Sequence, residues 1–209
     1  MTVLYLMIIA VVSYFLGGIN GSILASKYLW KKDVRDYGSK NAGLTNFYRT
    51  FGLFGMALVI AADVLKSVLA LVIGSWLMGK VDEPMVGTIF SGFCLILGHM
   101  YPAFYQLRGG KGVLCGLIMV LVADWRVGIM CLLVFAVVVI FTKYVSLGSV
   151  AGAICVPLGF LIFRNGALVT WLAAFCCLAI IIKHNGNIMR IISGAEHQIN
   201  FGHKNKPDL

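Results

Sequence analysis

"GVLCGLIMVLVADWRVGIMCLLVFAVVVIF", residues 112–141, decides how this chain is folded. It is apolar throughout except at Asp124 and Arg126, which flank Trp125. One helix could run through it, or two short helices could meet at Asp124-Trp125-Arg126. The choice reverses the direction of every later segment, so the rest of the sequence has to arbitrate.

Of the 209 residues, 60% are apolar and 12% charged, and the mean hydropathy is +0.94. A soluble domain of this length has too little interior to hide so much apolar surface. Long runs with few charges read instead as membrane-spanning helices, each needing ~20 apolar residues to cross ~30 Å of hydrocarbon. Besides 112–123 and 127–141, such runs lie near 3–29, 52–78, 85–104, 145–163 and 166–182. The formal charge of +9 does not point to nucleic acid, because the basic residues sit in short segments between apolar runs. Cytoplasmic loops of membrane proteins carry that excess of Lys and Arg. The first charge is Lys27 and no basic n-region precedes it, so the opening run is expected to be a retained helix. The cysteines at 94, 115, 131, 155, 176 and 177 lie in apolar stretches without metal-ligand spacing. They read as small buried hydrophobes.

Charge settles the opening question. If 112–141 forms two helices and the N-terminus is outside, the inner side carries Lys27, Lys31, Lys32, Arg35, Lys40, Arg49, Arg108, Lys111, Lys143, Lys183, Arg190, Lys204 and Lys206. Those 13 basic residues face only Lys80, Arg126 and Arg164 outside, with Lys66 inside a span. A single merged helix cuts the inner count to 9 and raises the outer to 6. The two-helix arrangement obeys the positive-inside bias far better. The expectation is an all-α polytopic transmembrane bundle of about seven spans. Its N-terminus is outside, its C-terminus cytoplasmic, and residues 1–209 form a single integral membrane domain. The two short helices require local bilayer thinning or burial within the bundle. Gly17/Gly21 and Gly148/Gly152, each four residues apart, should let helices approach closely. Pro157 should kink the sixth span.

This topology gathers three polar segments on the inner side. The first, "YGSKNAGLTNFYRT" (37–50), sets Ser39, Asn41, Gly43, Thr45, Asn46 and Arg49 close together. It reads equally well as a plain turn or as a binding loop. The second, "GHMYPAFYQLRGGKGV" (98–113), packs glycines around Lys111 beside Arg108. It is not a nucleotide P-loop, since Tyr105 stands where the first glycine belongs and Gly112 where a Ser or Thr belongs. Glycine N–H groups and the start of the next helix nevertheless suit an anion. In the third, "KHNGNIMRIISGAEHQI" (183–199), His184, Asn187 and Arg190 recur every three residues, which places them on one helical face, and Glu196 follows. Asp63 and Lys66 in the second span are spaced to pair. They are either a functional intramembrane charge or a fastening of the bundle. Ser146 and Ser149 open the sixth span from the same side. "HKNKPD" (203–208) fits a His-x-x-x-x-Asp acyltransferase pattern, but its place in the extreme tail makes it a chance match.

Together the three segments resemble the bacterial acyl-phosphate-dependent membrane glycerol-3-phosphate acyltransferases, the PlsY family, over nearly the whole chain. The family's Ser-x-Asn-x-Gly-x-Thr-Asn-x-x-Arg falls on Ser39, Asn41, Gly43, Thr45, Asn46 and Arg49. Its Gly-His preface and Gly-Gly-Lys-Gly-Val loop fall on Gly98, His99 and Gly109 to Val113. Its His-x-x-Asn-Ile-x-Arg and Gly-x-Glu fall on His184, Asn187, Ile188, Arg190, Gly194 and Glu196, and a span-opening serine on Ser149. The chain departs from the family at Leu107, usually aromatic, at Leu114-Cys115, commonly Ala-Thr, and at Asn20, commonly proline.

The resemblance implies transfer of a fatty acyl group from acyl phosphate to the sn-1 hydroxyl of glycerol 3-phosphate. The products would be 1-acyl-glycerol 3-phosphate and inorganic phosphate, the first step of phospholipid synthesis. It implies catalysis by Ser39, Arg49, Lys111 and His184. Substrate binding is expected from Asn41, Gly43, Thr45, Asn46, Gly109, Gly110, Gly112, Ser149, Asn187 and Arg190. Asp63, Lys66, His99 and Glu196 are expected to support the structure. No metal or cofactor is implied, because acyl phosphate is already activated. The expected location is the bacterial cytoplasmic membrane, with the site facing the cytoplasm and the acyl chain lying among helices in contact with membrane lipid. Nucleic acid is not an expected partner; functional coupling to acyl-phosphate-forming and second-step acyltransferase enzymes is. The rival reading is a small organic-anion transporter, which would explain Asp63 and Lys66 but lacks an internal repeat.

Overall fold

The structure, a computed structural model, describes residues 1–199; the HKNKPD segment, with Lys204 and Lys206, lies outside them. The described residues form ten α-helices and no strand: α1 Thr2–Gly18, α2 Gly21–Trp30, α3 Leu44–Phe51, α4 Met56–Gly79, α5 Pro84–Met100, α6 Val113–Ala123, α7 Trp125–Thr142, α8 Val145–Ile162, α9 Ala167–Lys183 and α10 Asn185–Ile192. Five units are long and apolar enough to cross a membrane: Thr2–Trp30, Met56–Gly79, Pro84–Tyr105, Trp125–Thr142 and Val145–Ile162. A sixth exists if α9 and α10, bent by 53° at their junction, count as one span.

The stretch 112–141 divides at Asp124. The Asp124 carboxylate accepts from the Arg126 N–H at 3.0 Å and pairs with the Arg126 guanidinium at 2.8 Å, so it caps the start of α7. The same carboxylate accepts from Asn165 Nδ2 at 2.9 Å, which ties this corner to the α8–α9 turn. The chain reverses there: a Cβ on Gly128 would stand 3.0 Å from the Leu121 Cα. In one straight helix those two residues would lie about 10 Å apart. With 11 residues, α6 rises only about 16 Å, well short of the hydrocarbon thickness. It is sheltered instead, packed among α4, α5, α7 and α9.

The first span is not the continuous helix expected over 3–29. It breaks at Ile19, whose backbone is extended (φ −70°, ψ 98°). A break at this depth leaves backbone groups that lipid cannot satisfy. Lys66 Nζ donates to the carbonyls of Gly17 at 3.2 Å and Ile19 at 2.6 Å. Asp63 Oδ1 accepts from the Gly21 N–H at 3.4 Å and pairs with Lys66 at 2.7 Å. The intramembrane ion pair is therefore the fastening of this break. Asn20 completes it, capping α2 by accepting from the Ile23 N–H at 3.0 Å.

Glycines set how close the helices lie. A Cβ on Gly17 would stand 2.1 Å from the Leu95 carbonyl oxygen, and one on Gly98 2.0 Å from that of Tyr14, so α1 and α5 touch backbone to backbone. Gly148 and Gly152 bring α8 near α7 less tightly, with a Cβ 3.0 Å from the Phe135 oxygen and 3.3 Å from that of Cys131. Pro157 lies inside α8, which continues through it. The cysteines are free thiols, all buried except the half-buried Cys155. Segment 37–50 is more than a turn: its second half is α3, whose Phe47 and Phe51 pack with Trp30, Ile23, Val34 and Val59.

Candidate active site

The three polar segments converge on one end of the bundle. Lys111 Nζ donates to Asn187 Oδ1 at 2.5 Å, joining the second segment to the third. Arg49 donates to the His197 carbonyl at 3.1 Å, joining the first to the third. Arg35, locked onto Asp33 at 2.7 Å, donates to the Tyr105 carbonyl at 2.8 Å and so ties the first loop to the second. Two cavities open between these segments, the larger reaching deep among the helices and the smaller confined to the loops and helix ends. Ser39, Asn41, Lys111, Asn187 and Arg190 line both.

In the first segment Asn46 is buried. Its amide nitrogen donates to the carbonyls of Val34, Tyr37 and Asn41, and its oxygen accepts from the Ser39 N–H at 2.9 Å. Its polar atoms are engaged in shaping the loop at the edge of the cavity. Gly43 leaves room beside it: a Cβ there would stand 2.7 Å from Asn41 Nδ2. The Ser39 hydroxyl, the Asn41 amide, Thr45 and the rest of the Arg49 guanidinium face the larger cavity. Burial lowers the Arg49 pKa, yet a guanidinium stays protonated.

The glycine loop is likewise partly engaged. The Gly109 N–H donates to the Met100 carbonyl at 3.2 Å and that of Gly110 to the His99 carbonyl at 3.0 Å. Both N–H groups are therefore engaged within the protein, and the two glycines allow close packing. A Cβ on Gly109 would stand 2.0 Å from the His99 oxygen, and one on Gly110 2.3 Å from His99 Nε2. The N–H groups of Lys111 and Gly112 have no acceptor among the described residues. With the first turn of α6 behind them, they are the N–H groups of this loop left free to meet an anion. Gly112 holds a left-handed φ of 75° that a side chain would strain.

At the third segment the bend between α9 and α10 buries His184. Its Nδ1–H donates to the Ile180 carbonyl at 2.8 Å, because a carbonyl can only accept, and Nε2 is left for a ligand. Glu196 accepts from Ser146 Oγ at 2.7 Å, Asn187 Nδ2 at 2.6 Å and Arg190 Nε at 2.8 Å. Burial pushes the Glu196 carboxyl up, but the three hydrogen bonds outweigh it and hold the group below its usual range. Asn187 is thereby fixed between Glu196 and Lys111, while the two outer nitrogens of Arg190 stay available. The Ser149 hydroxyl, on the wall of the larger cavity, donates to the Val145 carbonyl at 2.9 Å and keeps its lone pairs for a ligand.

The two cavities differ in chemistry. The larger runs from Lys111 down between α6, α7, α8 and α9, along Leu117, Val120, Leu132, Phe135, Val156 and Ile180. The smaller is lined by Lys40, Arg108, Lys111, Lys183 and Arg190 and by no carboxylate. An apolar channel thus ends on a cationic chamber, with Lys111 and Arg190 at their junction. From sequence, Arg108 is expected beside Lys111 as charge for the anion loop, whereas Lys40 and Lys183 count only as part of the inner positive charge. The position of Lys183, directly before His184, was the one available signal. Lys183 Nζ lies 3.9 Å from the Tyr101 ring centroid. Burial, reinforced by Arg190 and Arg49 and opposed by Glu196, lowers the Lys111 pKa to about 8.

A family model described as glycerol-3-phosphate acyltransferase matches residues 7–194. A glycerol-3-phosphate acyltransferase of Clostridioides difficile (strain 630) is 40% identical over 196 residues, covering 92% of this chain and 94% of its own. One of Thermoanaerobacter pseudethanolicus (strain ATCC 33223 / 39E) is 36% identical over 196 residues, covering 94% and 96%. Among solved structures, PlsY, an integral membrane glycerol 3-phosphate acyltransferase in its glycerol 3-phosphate form, superposes with a TM-score of 0.83. Its identity is 30%, with 93% of this chain and 96% of that one covered.

Proposed function

The chain belongs to the glycerol-3-phosphate acyltransferase family, and we propose that acyl phosphate is the donor in its reaction. It is a multi-pass membrane acyltransferase acting on glycerol 3-phosphate. The observation that supports this donor is the junction of the two cavities at Lys111. A fatty acyl phosphate has a long apolar tail and a small dianionic head. The apolar channel suits the tail, and the cations at its end suit the head. The acceptor brings a second phosphate, for which Lys40, Arg108 and Lys183 supply further charge.

In the reaction the sn-1 oxygen forms a bond to the acyl carbonyl carbon, and the carbon–oxygen bond to phosphate breaks. Inorganic phosphate leaves with that electron pair, and 1-acyl-glycerol 3-phosphate remains. Lys111, Arg49 and Ser39, with the N–H groups of Lys111 and Gly112, stabilise the charge that develops on the carbonyl and the departing phosphate. His184, Asn187 and Arg190 orient glycerol 3-phosphate, and Asn41, Thr45 and Ser149 complete the wall. The hydroxyl proton passes to His184 Nε2 or to a phosphate oxygen. A general base is worth about 10²–10⁴-fold, so His184→Gln should lower kcat by that much if the ring takes the proton. A loss confined to KM assigns the proton to phosphate instead.

We place the whole chain, residues 1–209, in one catalytic domain of the bacterial cytoplasmic membrane, with the site facing the cytoplasm. The positive-inside bias supports this: outside the spans, Lys80, Arg126 and Arg164 are the basic residues of the described part that lie toward the opposite end. Acyl-phosphate-forming and second-step acyltransferase enzymes are the fitting functional neighbours. A transport role loses its main support, since Asp63 and Lys66 are engaged at the helix break. The decisive test is purified protein with palmitoyl phosphate and glycerol 3-phosphate and no other enzyme. Lysophosphatidate must form; folded protein that yields none overturns the donor assignment.

The same assay carries a pH prediction. Lys111 is charged below about 8 and neutral above it. A phosphate monoester is already dianionic across that window, its second pKa being about 6. For the free enzyme, kcat/KM should therefore fall as pH rises through about 8. Lys111→Arg, which stays protonated, should flatten that limb at a lower absolute rate. An unchanged limb in the variant removes Lys111 as its cause.

A further inference from the structure

Asn20, in the break of the first span, is buried completely and bonded in two directions. Its oxygen caps α2 through Ile23, and its nitrogen donates to the Ala42 carbonyl at 3.1 Å. Ala42 is also fully buried and lies between Asn41 and Gly43 in the first loop, three residues after Ser39. Its carbonyl oxygen is 2.6 Å from where a Gly110 Cβ would stand, so the two loops meet there backbone to backbone. His99 Nε2 stands 2.3 Å from the same point, so Ala42 and His99 crowd the same face of Gly110. The His99 ring is held in turn by Lys66 Nζ, 2.9 Å from Nδ1. Lys66 is also the cation that fastens Ile19.

From these contacts we propose that Asn20 is a positioning residue for the acyl transfer, setting the first loop against the glycine loop through Ala42. One anchor, the helix break, holds both walls of the contact: Asn20 holds Ala42, and Lys66 holds His99. Gly110 packs its bare face against both of them, and Lys111 follows it directly. The distance from Ser39 and Asn41 to Lys111, across which a phosphate must fit, is set at Asn20. The relation depends on an amide there. A proline would have neither the cap acceptor nor the donor to Ala42. This inference rests on the proposed reaction, but its binding measurement does not.

Two variants isolate the donor to Ala42. Asn20→Ser keeps a favoured cap but is too short to reach Ala42, and Asn20→Asp keeps the cap while turning the donor into an acceptor. In the full-length protein, Asn20→Asp should raise KM for glycerol 3-phosphate about tenfold while kcat changes less than about threefold, with Asn20→Ser intermediate. Titration calorimetry with glycerol 3-phosphate should show the same weakening without turnover. If the wild type binds glycerol 3-phosphate but forms no lysophosphatidate, the donor assignment fails, and the calorimetry alone decides the role of Asn20. Combined with Ser39→Ala, Asn20→Ser should cost less than it does alone, because both act on one loop. If Asn20→Asp does not fold, Asn20→Ser carries the test. A lowered thermal midpoint with unchanged KM and affinity, or losses that simply multiply, would reduce Asn20 to a helix cap and overturn the proposal.

Discussion

Lys111→Ala should lower kcat/KM by at least about 10²–10³-fold, the range for removing one preorganised charge or donor from a water-excluded site. Several features put it at the head of the ranking. Lys111 lines both cavities, and of the two cations at their junction it is the one on the glycine loop. Its ammonium is held by Asn187, itself fixed by Glu196, so little reorganisation is needed when charge develops. Replacing it by alanine leaves the loop's backbone bonds to Met100 and His99 intact, so the thermal midpoint should barely move. Turnover with palmitoyl phosphate, followed beside thermal unfolding, separates the two effects. Turnover within threefold of wild type would remove Lys111 from the mechanism.

The largest stability effect is expected at Lys66. Lys66→Met should cost about 3–5 kcal/mol, the range for stranding one member of a buried ion pair. Ordinarily, replacing both partners by apolar groups is close to neutral. Here it should not be. Asp63→Leu with Lys66→Met leaves the carbonyls of Gly17 and Ile19 and the N–H of Gly21 without partners in an environment that offers none. The double variant should recover less than half of the single variant's loss in detergent unfolding. Full recovery would mean that the break can satisfy itself.

Much of this architecture was legible in the sequence because charge placement is a global signal. The corner at Asp124 and the gathering of Ser39, Lys111 and His184 on one end follow from where Lys and Arg fall. The break at Ile19 was not legible by hydropathy, since the apolar run continues through it. Of its local signature, the glycines read as packing and the capping Asn20 only as a departure from the family's proline. The site shows a second kind of limit. The partners of Asn46, Gly109 and Gly110 could not be read, for a sequence records which polar atoms exist and not which are already engaged. Lys183 failed in the opposite sense: taken for an anchoring charge, it lines the cationic chamber through the bend between α9 and α10.

The short α6 bears on where the proposed reaction would take place. It and α7 leave the same corner at Asp124, and with 11 residues against 18 α6 is about 11 Å the shorter. Under the proposed reaction the product's tail would already lie in the apolar channel among α6, α7, α8 and α9, with its phosphate at the cationic end. Its departure would then be a sideways step into the leaflet, with no vertical transfer between phases.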